Sequence, residues 1–211
     1  MASPSPIQPL MEATDATWRA YGDAPEGFAE PVMVAEQLAE LELEYASIRK
    51  QAALVDEPQR GVIVVTGADR LEFLGRMITQ EMKGLEPFGW RHSFWLNRKG
   101  RIDADMRVIA LPDRVLLEMD VHAVARTKKG LEAYVITEDV TLTDATQRVH
   151  RLGLHGRRAI DALGAVVTES QVAGGAPGPR LRSLAAGEVT SVGFGSASGG
   201  AIVTVVRDDW M

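Results

Sequence analysis

The chain contains no cysteine. Disulfides, thiolate nucleophiles and Cys-ligated metal sites are therefore excluded within it, and the absence suits a reducing compartment. Long apolar runs are also missing, and none approaches the ~20 residues needed to span a bilayer. The opening MASPSPIQPLMEATDATWRAYG has neither a basic stretch nor an unbroken apolar one. It does not read as a signal peptide, and a cytoplasmic protein without membrane contact is expected. Positive charge is outnumbered, with 23 Lys and Arg against 29 Asp and Glu and a net charge of -6. Such a chain has no global attraction for nucleic acid or anionic lipid. No sequence repeat is evident.

What remains is ordinary in bulk. The 211 residues are 45% hydrophobic and 25% charged, as in a soluble globular protein of one or two domains. Residues 1–31 are rich in Pro, Ala, Ser and Gly and read as a flexible arm. Val34, Leu38, Leu41, Tyr45, Ile48 and Ala52 recur at spacings of four and three. They predict one helix with an apolar stripe that packs on the core. Its acidic residues lie towards the start and its basic ones towards the end, as the helix dipole favours.

Gly61 to Thr66 predicts a strand. Asp69 is the expected N-cap of a short helix carrying Leu71, Phe73, Leu74 and Met77. Trp90 to Leu96 predicts the next strand, and Asn97-Arg98-Lys99-Gly100 has turn chemistry, with Gly100 suited to positive φ. Ile102 to Leu111 and Arg114 to Met119 flank a tight Pro112-Asp113 turn and predict a hairpin. Val124 to Tyr134 reads as a helix, Val140 to Thr143 and Arg151 to Leu154 as strands, and Arg157 to Leu163 as the start of another helix. Val172 to Pro179 is a Gly/Pro-rich loop. Glu188 to Phe194 and Ala201 to Val206 predict strands joined by Gly-Ser-Ala-Ser-Gly-Gly. Strands and helices interleave without strict alternation, so an α+β fold with largely antiparallel sheets is expected. The division is an arm over 1–31, an α+β domain over 32–171, and the loop and hairpin of 172–211 as the start of a continuation.

Chemistry concentrates between Phe94 and Val108. A strand, a glycine turn and a returning strand deliver Asp105, and Asp103 projects to the same face. Two carboxylates on one face fit a solvated surface, or a site for a cationic or hydrogen-bond-donating ligand. The other candidates are weak. His92, His122, His150 and His155 have no metal-ligand spacing, and no Gly-x-Ser-x-Gly nucleophile elbow occurs. Arg98, Lys99 and Arg101 beside Phe94 and Trp95 are read as a solvated turn rather than an RNA-binding patch.

Several segments resemble the glycine-cleavage T-protein superfamily, in the family's order. They are Glu44-Tyr45-Ala46-Ser47-Ile48-Arg49 with Leu54-Val55-Asp56, and Val65-Thr66-Gly67-Ala68-Asp69-Arg70 with Phe73-Leu74 and Thr79-Gln80-Glu81. Leu96-Asn97 with Gly100-Arg101-Ile102 and Asp105 follows, then Leu152-Gly153-Leu154-His155-Gly156 with Ala159. The resemblance implies the folate-binding front part of that fold. It implies tetrahydrofolate as cofactor, with Asp105 as the catalytic carboxylate at the pteridine end. Asn97, Gly100, Arg101 and His92 are then the other cofactor-binding candidates. A carboxylate there accepts charge-assisted bonds from N–H donors and stabilises positive charge developing in one-carbon transfer.

Two branches of the superfamily differ here. The Lys99-Gly100-Arg101 turn and a lone Asp105 after Ala104 resemble the YgfZ-like folate-binding proteins, accessory factors linked to iron–sulfur enzyme maintenance and tRNA modification. The alternative is a folate-dependent aminomethyltransferase. A second alternative is a degenerate structural partner that binds no folate. Implied partners are folate and an iron–sulfur client protein. The strand Ala201 to Val206 should be buried on both faces or paired on both edges. The resemblance also implies that a carboxy-terminal part is lacking here, so self-association or a C-terminal partner chain is expected.

Overall fold

A computed structural model of the chain describes residues 5, 7–12, 14, 16–168, 181–184, 186, 188–194 and 201–208. In chain order these form α1 (Gln8–Glu12), β1 (Thr17–Ala20), β2 (Met33–Gln37), α2 (Leu41–Lys50), β3 (Ala53–Asp56), β4 (Arg60–Thr66), α3 (Arg70–Met77) and β5 (Trp90–Leu96). There follow β6 (Ile102–Ala110), β7 (Val115–Asp120), α4 (Val121–Glu132), β8 (Thr141–Asp144), β9 (Leu152–His155), α5 (Ala159–Val166), β10 (Val167–Thr168), β11 (Val189–Phe194) and β12 (Ala201–Val206). The loop expected over Val172 to Pro179, the 195–200 link and the domain boundary at 171 lie outside the described residues.

The fold is α+β, as expected, and every strand pairing among the described residues is antiparallel. Its centre is a five-stranded sheet in the order β5-β6-β7-β4-β8. Period-two alternation gives this sheet two unlike faces. Ala104, Met106 and Val108 of β6, Leu117 and Met119 of β7, and Ile63 and Val65 of β4 are buried on one face. Phe73 and Leu74 of α3 and Ala123, Val124 and Leu131 of α4 pack over them in one continuous core. Each fully buried Leu, Val or Phe contributes about 1.5–3 kcal/mol from burial. Helices α3 and α4 cover that face, while the other carries Asp105, Arg107, Glu118 and Asp120 towards one end together with the buried Val62 and Ile109.

Smaller sheets are attached around this unit. The hairpin β1–β2 registers Trp18 with Ala35 and Arg19 with Val34. Strands β3 and β9 pair from Ala53↔His155 to Asp56↔Leu152. The order β10-β11-β12 forms a third small sheet, joined to the rim of the main one through the Gly89↔Glu188 bridge.

Several expectations need correction. The long helix predicted from Val34 is a strand followed by a shorter helix. Oε1 of Glu44 accepts the backbone N–H groups of Leu38 and Ala39 at 2.7 and 3.0 Å, so these amides are held ahead of the helix. The helix α2 buries no residue, and its apolar stripe faces outward. The first 31 residues contain α1 and β1; the pairing of β1 with β2 comes from cross-strand partners that no local period announces. Asp69 does not cap α3 with its side chain. Its Oδ2 instead accepts the Asp139 N–H at 2.8 Å, while Asp139 Oδ2 accepts the Ala68 N–H at 2.9 Å. Among the described residues β12 pairs only with β11, and Val203 to Val206 are half-buried. It lies at the edge of the β10-β11-β12 sheet, its second edge unpaired among the described residues.

Candidate functional site

Strand β6 outruns β7 at one end of the main sheet. Their pairing stops at Met106↔Met119, because β7 ends at Asp120 and α4 begins at Val121. Asp120 makes this abrupt change of direction, its Oδ1 accepting the His122 N–H at 2.9 Å as an N-cap. The overhanging residues Ile102 to Asp105 therefore have β5 on one side and the first turns of α4 on the other. Between them opens a cleft of about 370 Å³, within the range of small-molecule sites. Its polar lining comes from Arg60, His92, Asp103, Asp105, Arg107, Asp120 and Arg126.

Asp105 sits on β6 opposite Phe94, and His92 opposite Arg107. His92 and Asp105 are thus diagonal neighbours on the charged face, and Nε2–H of His92 donates to Oδ1 of Asp105 at 2.6 Å. The imidazole is held by an edge contact with Phe94, 4.8 Å between centroids. The Asp105 side chain remains 67% exposed, and its Oδ2 has no hydrogen-bond partner among the described residues. An acceptor is thereby fixed by one oxygen and open at the other.

The Asn97–Gly100 turn sets where β6 begins. Oδ1 of Asn97 accepts the N–H groups of Lys99 and Arg101 at 2.9 and 3.2 Å, and its Nδ2 donates to Asp103 Oδ1 at 3.0 Å. Gly100 takes the positive φ expected of it, 72°. Asn97, Gly100 and Arg101 thus build the turn at the end of the cleft rather than line it; Arg101 joins through its backbone. The Thr79-Gln80 segment clamps β5 beside His92. The Phe94 N–H donates to Thr79 Oγ1 at 3.0 Å, and the Gln80 N–H donates to Ser93 Oγ at 3.0 Å.

Sequence reasoning missed the cations and the opposite wall. Arg107 continues the Asp103, Asp105 alternation onto the same face, which was a usable signal. Its guanidinium stacks over Trp90 at 5.5 Å and pairs with Asp208. Arg60 and Asp120 are a cross-strand pair of β4 and β7. Arg60 donates from Nε and Nη2 to Glu118 Oε1 at 3.0 and 2.9 Å, and Arg151 reaches the same oxygen. Arg151 also pairs with Glu57 at the end of the β3–β9 sheet, and its bond to Glu118 ties that sheet to the main one. Tyr21 donates its O–H to Asp120 Oδ2 at 2.6 Å. That bond, with burial and the nearby carboxylate charge, raises the phenol above its ordinary pKa. Arg126 donates to the Asp103 carbonyl from α4. Of the other histidines, His122 stacks on Tyr21 and His150 pairs with buried Asp56. No group of three or more potential metal ligands occurs among the described residues.

Residues 13–189 match the family described as the GCVT N-terminal domain. The chain belongs to this family. An aminomethyltransferase of Bacillus cytotoxicus is 25% identical over 134 residues, 63% of this chain and 36% of that protein. Sarcosine oxidase subunit alpha of a Corynebacterium species is 28% identical over 130 residues, 59% of this chain and 13% of that protein. The crystal structure of glycine cleavage system aminomethyltransferase T from Bartonella henselae superposes with a TM-score of 0.72. That likeness, at 17% identity, covers 98% of this chain and 54% of the other, and it establishes the fold. The chain spans about a third of the Bacillus relative's length and about half of the Bartonella protein's. No helix among the described residues is long and apolar enough to cross a membrane.

Proposed function

We propose that the chain binds a reduced folate, tetrahydrofolate or a one-carbon derivative, in the cleft beside Asp105. The observation behind this reading is the His92–Asp105 pair, which presents an open carboxylate oxygen at the cleft between β6 and α4. The pterin edge is rich in N–H donors, and an ionised carboxylate accepts such bonds with charge assistance. Arg60, Arg107 and Arg126 give the same cleft cations suited to the acidic tail of a folate. When bound, the folate supplies a carrier for one-carbon units. The chain's own residues bind and orient it. Asp105 accepts from the ring, His92 holds Asp105 in position, and Asn97 fixes the turn from which β6 starts.

For the role we propose a folate-binding accessory protein of the YgfZ-like kind, serving an iron–sulfur client, on the resemblance of the Lys99-Gly100-Arg101 turn and the lone Asp105 after Ala104. A second reading, aminomethyl transfer to tetrahydrofolate, is favoured by the aminomethyltransferases among the relatives. Equilibrium dialysis against tetrahydrofolate tests the shared premise, and saturable retention is expected. Absence of retention overturns both readings. Addition of the protein to the remaining glycine-cleavage components then separates them. Folate-dependent ammonia release supports the transferase, and its absence in a folate-binding preparation supports the accessory role.

A further inference from the structure

We infer that α2 is a dimerisation element that packs antiparallel on α2 of a second copy of this chain. The helix buries none of its 10 residues. Leu41, Tyr45 and Ile48 are 69%, 63% and 43% exposed. At ~3.6 residues per turn they form a single line along the helix. Leu38 and Leu54, which flank α2 in sequence, line an apolar groove of about 220 Å³ together with Leu10. An exposed apolar strip of this kind is a docking feature.

The charges on α2 specify the occupant. Its first turn carries Glu42 and Glu44 and its last turn Arg49 and Lys50. Glu42 and Arg49 are seven residues apart, so both lie on the same flank of the stripe. Arg49 leans over the Tyr45 ring at 6.0 Å, and neither Glu42 nor Arg49 has an ion pair among the described residues. A twofold axis near Tyr45 places Leu41 against the partner's Ile48 and Tyr45 against its own copy. The same operation sets Glu42 beside the partner's Arg49, twice. The face is self-complementary in both shape and charge, as an isologous interface requires. A parallel arrangement would set like charges together.

Sedimentation of the chain over a range of about 1–200 μM, spanning ordinary weak-dimer affinities, tests this. A monomer–dimer equilibrium is expected. Tyr45→Asp should be monomeric throughout with an unchanged circular dichroism spectrum. Glu42→Arg and Arg49→Glu should each weaken the dimer roughly tenfold, two exposed pairs being lost and two repulsions made. The double variant E42R/R49E should return to within about threefold of wild type, because the pairing is restored in reverse. A wild-type monomer at every concentration overturns the inference. So does a dimer that survives Tyr45→Asp, or a double variant as weak as the single ones.

Discussion

Glu118 lies at the junction of the main sheet with the β3–β9 pair, and its replacement by glutamine should destabilise the protein substantially. Its side chain is 10% exposed and receives Arg60 and Arg151, themselves 26% and 22% exposed. Charge-assisted hydrogen bonds are each worth ~1.5–3 kcal/mol. Those made here converge on the same oxygen, so they are not additive, and the glutamine amide can retain one of them. The two guanidiniums would be left half-buried with their shared counter-charge gone, and partial solvent access returns some of the loss. The net cost should be about 2–4 kcal/mol. For a chain of this size each kcal/mol lowers Tm by about 2–4 °C, so a fall of roughly 5–15 °C is expected. Thermal unfolding followed by circular dichroism measures it. A Glu118→Gln variant that melts within about 1 °C of wild type would refute the reasoning and mark the cluster as a solvated surface network.

Two glycines with positive φ should respond differently to alanine. Gly67 has φ 106° and a Cβ there would meet the Asp139 carbonyl oxygen at 1.9 Å, whereas Gly100 has φ 72° and open space around it. Gly67→Ala should fail to reach the native fold in a denaturant melt, while Gly100→Ala should lose only about 1 kcal/mol. Asn97→Ala removes the acceptor of two turn amides and should cost about 1–2 kcal/mol, with a matching loss of folate affinity in the same preparation. Tyr21 should ionise above free tyrosine in an absorbance titration. Its folded-state pKa is raised, so its contribution to stability is full below the unfolded value near 10 and is lost as pH rises through the folded value. Tyr21→Phe should abolish that alkaline dependence.

The main sheet was legible because its strands obey a local rule. Met106 and Val108 alternate with Asp105 and Arg107 and so announce both the strand and its buried face, while the continuous Val62-Ile63-Val64-Val65 run announces a strand without choosing between its faces. Gly100 was legible as well, since a turn between two such strands needs positive φ. The hairpin β1–β2 was not, because Val34 and Ala35 owe their extended conformation to Trp18 and Arg19, some 16 residues away in sequence. The stripe through Leu41, Tyr45 and Ile48 gave the period of a helix, but period alone cannot say whether the partner lies within the chain. At the candidate site, Asp105 and His92 were named through resemblance, and the structure shows them hydrogen-bonded to each other. Arg60, Asp120 and Tyr21 reach the cleft from distant segments. Only the fold could bring them there.

The central claim is that Asp105 forms a folate site, and calorimetric titration of wild type and Asp105→Asn with tetrahydrofolate tests it most directly. The substitution keeps the shape and removes the charge that the ligand's N–H groups would meet. Losing a charge-assisted bond of ~1.5–3 kcal/mol should weaken binding about tenfold or more, with the thermal stability of the exposed position unchanged. Equal affinity for the two proteins, or no heat of binding with the wild type, would contradict the account.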